Sequence, residues 1–375
     1  MSNFNRSGAA FLRRRFLKIM GTTAALWGLG SSVAHAQPAA AKPEKAPEQL
    51  PQLPQLRIGY QKSAVNLVIL KQQGVLEKRF PNTKVVWAEF PAGPQLLEAL
   101  SVGSLEFGLT GDSPPVFAQA AGKDLFYVGA EPPKPDSSAI LVLGDSPVRS
   151  LAELKGKKIA VQKGSSAHYL LVRAVDKAGL KWDDIQPIYL PPADARAAFE
   201  RKSVDAWAIW DPFYAAIELA IKPRVLATGR ELSSNNSFYL ASTPLVTQHP
   251  QVLAVLFEEL TRADAIAQGS RKEAIKLISD FSGLDAGVVS LFIQRRPASP
   301  VGPLNAATVA DQQRVADAFL KLGLIPKPVR VADIVWRPEG ARLAHGWRSW
   351  PANKSKKQKP PRIFHASVLV HPHPR

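Results

Sequence analysis

The chain has 375 residues, 46% hydrophobic and 21% charged, with no cysteine and a formal charge of +17. That length supplies two domains with sizeable cores, and the lack of cysteine excludes disulfides and thiol chemistry. The charge sits at the ends: residues 1–36 hold five basic residues and no acid, and residues 339–375 hold eight against Glu339, so residues 37–338 keep a net charge of only +5. A body so mildly basic argues against a nucleic-acid groove.

At the N-terminus, Arg13-Arg14-Arg15-Phe16-Leu17-Lys18 matches a twin-arginine pattern, although Leu12 stands where Ser or Thr is usual. The apolar run 19–29 and the small-residue site Ala34-His35-Ala36 follow. Eleven residues are too few to span a bilayer, so residues 1–36 are expected to be an export signal cut after Ala36, placing the protein in the periplasm. Residues 37–55, QPAAAKPEKAPEQLPQLPQ, have no apolar period and are expected to be a flexible linker.

From residue 56, strand-like and helix-like runs alternate: LRIGY, AVNLVILKQQGVLEKRF, KVVWAEF, PQLLEALSVGS, LEFGLTGD, PPVFAQAAGK, LFYVGAE. After Glu131-Pro132-Pro133-Lys134-Pro135 the alternation restarts with KKIAVQK, SSAHYLLVRAVDKAGL, IQPIYLP, ADARAAFERKS, VDAWAIWD and PFYAAIELAI. From Thr243 it turns helical. Repeated βα units predict a mostly parallel sheet in each of two α/β lobes with a cleft between them. An internal echo supports the pairing: SLEFGLTGD at 104–112 aligns with SVDAWAIWD at 203–211, each with an acid early and an Asp at the end. Residues 339–375 are basic, Pro-rich and without period, the composition of a disordered tail.

Several chemistries drop out. Gly164-Ser165-Ser166 is not a Walker loop, since its Lys163 precedes the glycine, and no G-x-S-x-G elbow is present. Ser165 and His168, three residues apart at a helix start, fit a cap and a first-turn residue better than half a triad. Only His168 and His249 lie between residues 37 and 338, which makes a His/Cys metal site improbable and leaves no cofactor implied.

What remains are chain reversals from strand to helix at Gln61-Lys62-Ser63-Ala64, Thr110-Gly111-Asp112-Ser113 and Gly164-Ser165-Ser166. Free N–H groups at helix starts favour anions, and in open α/β sheets such strand ends face the ligand crevice. Asp112 and Asp211 fit a cap or hinge role, because a carboxylate repels an anion. Trp210 and Phe213 fit either core packing or an apolar pocket wall.

RIGYQKSAVNLVILK, EFPAGPQLLEALSVGSLEFGLTGDSPPVFAQAAGKDLFYVGAEPPKP, AVQKGSSAHYLL, LPPADARAAFERKSVDAWAIWDPFYAAIE and SFYLAS together resemble the periplasmic aliphatic-sulfonate-binding proteins of ABC importers. These belong to a wider sulfonate, nitrate and taurine solute-binding family. The resemblance covers about residues 56–338, and the tail beyond departs from it. It implies the two-lobed type II periplasmic-binding-protein fold, each lobe a mixed sheet flanked by helices. One lobe would span 56–140 with a return segment 237–338, the other 141–236.

The resemblance further implies a monomeric, non-enzymatic binder that hands alkanesulfonates to an inner-membrane ABC permease for sulfur acquisition. Carried over by motif, its ligand-binding residues are Gln61, Thr110, Gly111, Asp112, Gly164, Ser165, Ser166, Trp210 and Asp211, with Phe213 or Phe90 on the alkyl chain. Related enzymes of this fold, a sulfinate desulfinase and a thiamine-pyrimidine synthase, would need cysteine, which is absent. The alternative is a receptor for taurine, nitrate or another small oxyanion. Taurine's ammonium would want a carboxylate aimed into the pocket.

Overall fold

Alternation decides the first strand: Leu56, Ile58 and Tyr60 are apolar at every second position and bury together, so LRIGY pleats against a core. The computed structural model describes residues 53–337; the expected export signal, the linker up to residue 52 and the tail lie outside the described residues. The strands are β1 (Gln55–Tyr60), β2 (Lys84–Glu89), β3 (Phe107–Gly111), β4 (Phe126–Glu131), β5 (Ser138–Val142), β6 (Lys158–Val161), β7 (Gln186–Tyr189), β8 (Ala206–Trp210), β9 (Arg224–Thr228) and β10 (Ser237–Ala241). They form two five-stranded sheets, in the orders β2-β1-β3-β10-β4 and β7-β6-β8-β5-β9.

Each sheet is mixed. In the first, β1 runs parallel to β2 and β3 while β10 is antiparallel to β3 and β4; in the second, β6 runs parallel to β7 and β8 while β5 is antiparallel to β8 and β9. β5 pairs only within the second sheet, so the passage between sheets precedes Ser138 rather than falling at the expected 140/141.

The sequence echo marks β3 and β8, the central strand of each sheet. Its early acids do the same work in both. Glu106 accepts the Arg57 backbone N–H at 2.6 Å and Asp205 accepts that of Lys158 at 2.8 Å, each fastening the strand entry to its parallel neighbour.

The helices are α1 (Val65–Gln73), α2 (Val75–Arg79), α3 (Gly93–Ser101), α4 (Ser113–Ala120), α5 (Ser166–Lys177), α6 (Pro192–Glu200), α7 (Phe213–Ile221), α8 (Thr243–Gln248), α9 (Pro250–Gly269), α10 (Arg271–Ser282), α11 (Ala286–Gln294) and α12 (Ala306–Lys321). The single helical run expected after β1 is split at Gly74, whose φ of +58° ends α1 in the left-handed region. Both faces of each sheet are covered: α1, α9, α10 and α11 on one face of the first and α3, α4 and α12 on the other, with α5 opposite α6 and α7 on the second.

The chain crosses between the sheets at 132–137 and 229–236. These crossings are bonded to one another. Lys134 donates its N–H to Ser234 O at 2.9 Å, and Asn235 Nδ2 donates to Lys134 O at 2.9 Å.

Candidate functional site

At the carboxyl ends of β1, β3, β6 and β8 the chain turns into α1, α4, α5 and α7. Gly164, at φ +72°, makes the β6–α5 reversal possible. Ser165 then caps α5: its Oγ accepts the His168 N–H at 3.3 Å and donates to Gln162 O at 2.8 Å. His168 meets that serine only through its backbone, while its Nδ1 accepts the Gly164 N–H at 3.2 Å. Burial, with the Lys163 charge nearby, pushes the imidazole down to about 3, so it is neutral near pH 7. The pair is a cap and a loop brace, as the spacing suggested.

The two sheets' strand ends touch. A Cβ built on Gly111 would lie 1.8 Å from Ser166 Oγ and 3.2 Å from Ser166 Cβ, so any larger residue at the end of β3 would force that hydroxyl aside. Ser166 also hydrogen-bonds the Asp112 carboxylate from the opposite side of the cleft. The cleft is closed around a cavity of about 60 Å³.

Its walls come from both sheets and from the crossings. Gln61, Ser63, Thr110 and Gly111 stand on the first sheet's strand ends, Ser165, Ser166, Trp210 and Asp211 on the second's, and Lys134, Ser137, Asn235 and Ser237 on or beside the crossings. Phe292 of α11 and Arg296 just beyond it complete the lining with Gly93, Leu109 and Pro114.

Two buried cations dominate its electrostatics. Lys134 Nζ and Arg296 Nη2 each lie 3.1 Å from Glu131, on its two different oxygens, and the Tyr239 hydroxyl donates to Glu131 Oε1 at 2.9 Å. Burial alone would raise the Glu131 carboxyl; the Arg296 and Lys134 charges instead hold it down at about 2. Burial pushes Lys134 down despite Glu131. One carboxylate therefore serves two cations, and Arg296 Nε has no hydrogen-bond partner. Two buried cations against Glu131 make this end of the cavity positive, with the Asp264 carboxyl also feeling the Arg296 charge, and an anion is attracted more strongly here than in water.

Of the residues expected from the sequence, Gln61, Thr110, Gly111, Ser165, Ser166, Trp210 and Asp211 line this cavity. Asp112, Gly164, Phe213 and Phe90 do not. Asp112 lies behind the wall, accepting from Ser113 Oγ at 2.9 Å without capping α4 by its side chain; burial pushes its carboxyl up to about 6. Gly164 faces a neighbouring groove against Phe117, because its left-handed turn directs the backbone away from the cavity. Phe213 packs edge-on against Trp210 at 5.9 Å and joins the α6–α7 core, and Phe90 packs with the α3–α4–α12 core.

Asp211 does meet its helix, accepting the Ala215 N–H at 3.0 Å on Oδ1, the oxygen that also pairs with Arg295 Nη1 at 3.0 Å. Burial pushes this carboxyl up to about 7, the Arg295 charge offsetting only part of the rise. Lys134 and Arg296 were missed by sequence reasoning.

The NMT1/THI5-like family profile matches residues 88–267. A relative from Escherichia coli K12 named "Putative aliphatic sulfonates-binding protein" is 50% identical over 291 residues, covering 77% of this chain and 91% of the relative. One of the same name from Bacillus subtilis 168 is 34% identical, covering 76% and 86%. Among solved structures, the alkanesulfonate-binding protein SsuA from Xanthomonas axonopodis pv. citri bound to MOPS is 50% identical, with a TM-score of 0.74 over 77% of this chain and 100% of that one.

Proposed function

Because this chain belongs to the family of periplasmic aliphatic-sulfonate-binding proteins, we propose that it captures aliphatic sulfonates in the cavity between its two sheets and delivers them to an ABC importer for sulfur acquisition. It is a solute-binding protein and not an enzyme. The observation that carries the ligand assignment is the Lys134–Glu131–Arg296 cluster, two buried cations on one carboxylate, which makes this end of the cavity attractive to an anion. Around it, the hydroxyls of Ser63, Ser137 and Ser237 and the second Nε2–H of Gln61 offer neutral hydrogen bonds for the sulfonate oxygens. Trp210 and Phe292 supply apolar wall for the chain attached to sulfur.

The ligand contacts we assign are Gln61, Thr110, Gly111, Ser165, Ser166, Trp210 and Asp211, together with Lys134 and Arg296. An open form admits the ligand, closure brings Ser166 against Gly111, and a permease at the inner membrane takes the closed monomer. Export by the twin-arginine-like signal places it in the periplasm, and residues 56–137 with 237–337 form one lobe around 138–236.

Calorimetric titration of the purified protein with methanesulfonate, octanesulfonate, taurine, sulfate and nitrate tests this. Saturable binding of the sulfonates with sulfate and nitrate silent is expected. Binding of nitrate alone would overturn the ligand assignment while leaving the receptor role.

A further inference from the structure

We propose that Arg295 is the positioning residue that keeps the cleft shut: it stands outside the cavity, yet it sets how slowly a captured solute leaves. The inference rests on the reading that the ligand is held between two parts of the chain that open and close, and it goes on to name what fastens them.

Arg295 follows α11, whose Val288, Val289, Phe292 and Ile293 are buried in the core of the first sheet. Its guanidinium nevertheless turns to the second sheet. Nη1 lies 3.0 Å from Asp211 Oδ1 just past β8, Nη2 donates to the Glu218 carboxylate, and Cζ lies 3.8 Å from the centroid of the Tyr214 ring. Tyr214 and Glu218 both stand on α7. The next residue, Arg296, lines the cavity, whereas Arg295 does not. The pull between the sheets is therefore separate from the grip on the anion. The two helices also meet farther along, where a Cβ built on Gly287 of α11 would lie 3.6 Å from Leu219 Cδ1 of α7.

The contact suits an arginine. One planar fork reaches two carboxylates at once while its face lies on a tyrosine, a combination that the single ammonium of a lysine does not reproduce. The Arg295 side chain is 13% exposed and that of Asp211 3%, so salt and water screen this pair little. Arg295 is the one ion-pair partner of Asp211 among the described residues, and the Ala215 N–H, which also reaches Oδ1, comes from the helix that follows Asp211 itself. Stripping the guanidinium away leaves a carboxylate buried without a cation as long as the cleft is shut. Once the cleft opens, water reaches that carboxylate and the penalty disappears. The closed form alone depends on Arg295.

Stopped-flow tryptophan fluorescence, with Trp210 of the cavity wall as reporter, separates kon from koff for methanesulfonate. Arg295→Met should speed release about thirtyfold or more, as loss of one partner of a buried charge pair does, with kon nearly unchanged. Arg295→Lys should recover only part of the loss. Glu218→Gln should also speed release, by less, and its sign is the sharper test. Were Arg295 no more than a distant attraction for the anion, kon would fall in Arg295→Met, and removing the negative charge of Glu218 would tighten binding. Either result, or an unchanged koff, would overturn the assignment. Should Arg295→Met not fold, Glu218→Gln decides alone, faster release supporting the assignment and equal or slower release overturning it. Because the fastening touches no ligand, the same acceleration is expected for nitrate if nitrate alone binds, a result that would sink the sulfonate reading and leave this one standing. A chain that binds no solute of the panel above overturns both.

Discussion

Gly111→Ala places a methyl group on the contact that closes the cleft. The new Cβ would lie 1.8 Å from Ser166 Oγ and 3.2 Å from Ser166 Cβ. The hydroxyl can rotate away, but its hydrogen bond to the Asp112 carboxylate goes with it, and Asp112 is 2% exposed. Depriving a buried carboxylate of a donor costs about 1–3 kcal/mol, and the tight contact left at Ser166 Cβ adds to that.

Because Gly111 and Ser166 stand on opposite sides of the cleft, the cost falls on closure and not on the folding of either sheet. Affinity for a bound sulfonate should drop about five- to 150-fold, with the melting temperature of the ligand-free protein nearly unchanged. A double-mutant cycle with Ser166→Ala sharpens the test. With the hydroxyl already gone, Gly111→Ala should cost much less than it does alone. Equal losses in the two backgrounds, or a melting temperature that falls in step with affinity, would refute closure by this contact.

Arg296→Ala should weaken sulfonate binding by about 2–5 kcal/mol, because it removes one of the two buried cations at that end of the cavity; unchanged titrations would remove Arg296 from the site. Trp210→Ala should weaken octanesulfonate more than methanesulfonate, and an equal loss for both would dismiss the indole as a chain wall. Acid should undo the Glu131 cluster in a defined window. Its carboxyl is held at about 2 against an ordinary 4.5, below its unfolded value, so its stabilisation is present above pH 4.5 and lost as pH falls toward 2. That shift corresponds to about 3 kcal/mol, of which about 2 is gone near pH 3. Denaturant curves of the wild type and Glu131→Gln should therefore converge by about that amount on acidification, whereas a constant gap would mean that the cluster does not titrate as described.

The sequence reveals what local rules control. Gly164, Ser165 and Ser166 announce a reversal and a capped helix because a left-handed glycine and a capping hydroxyl act within a few residues, and the structure places the turn there. The echo at 104–112 and 203–211 is legible for a similar reason: Glu106 and Asp205 each fasten a strand entry to a parallel neighbour, a requirement that recurs in both sheets. Gly164 and Phe213 show where such reading stops. Sequence neighbours of cavity residues need not face the cavity, since a turn or half a helical turn redirects them into the next groove or the core. Lys134 and Arg296 lay beyond it altogether. Glu131 and Arg296 are 165 positions apart, and a lysine among prolines or an arginine after a helix carries no local mark of burial. Only the sheet order and the path of the crossings bring them together.

Adjacent arginines at the end of α11 make the cavity and the closure of the cleft one device. Arg296 turns to Glu131, the last residue of β4, and so holds the anion's end of the cavity. Arg295 turns the other way, pairing with Asp211 and Glu218 and lying 3.8 Å from the Tyr214 ring centroid, all three next to or on α7 behind the second sheet. α11 itself is buried in the core of the first sheet through Val288, Val289, Phe292 and Ile293. The chain thus places one cation at the cavity and the next one across the cleft, with no residue between them. Asp211, which also lines the cavity, anchors Arg295 across the cleft through Oδ1. Any ligand contact that is made only in the closed form would make ligand and closure favour one another, as linkage requires.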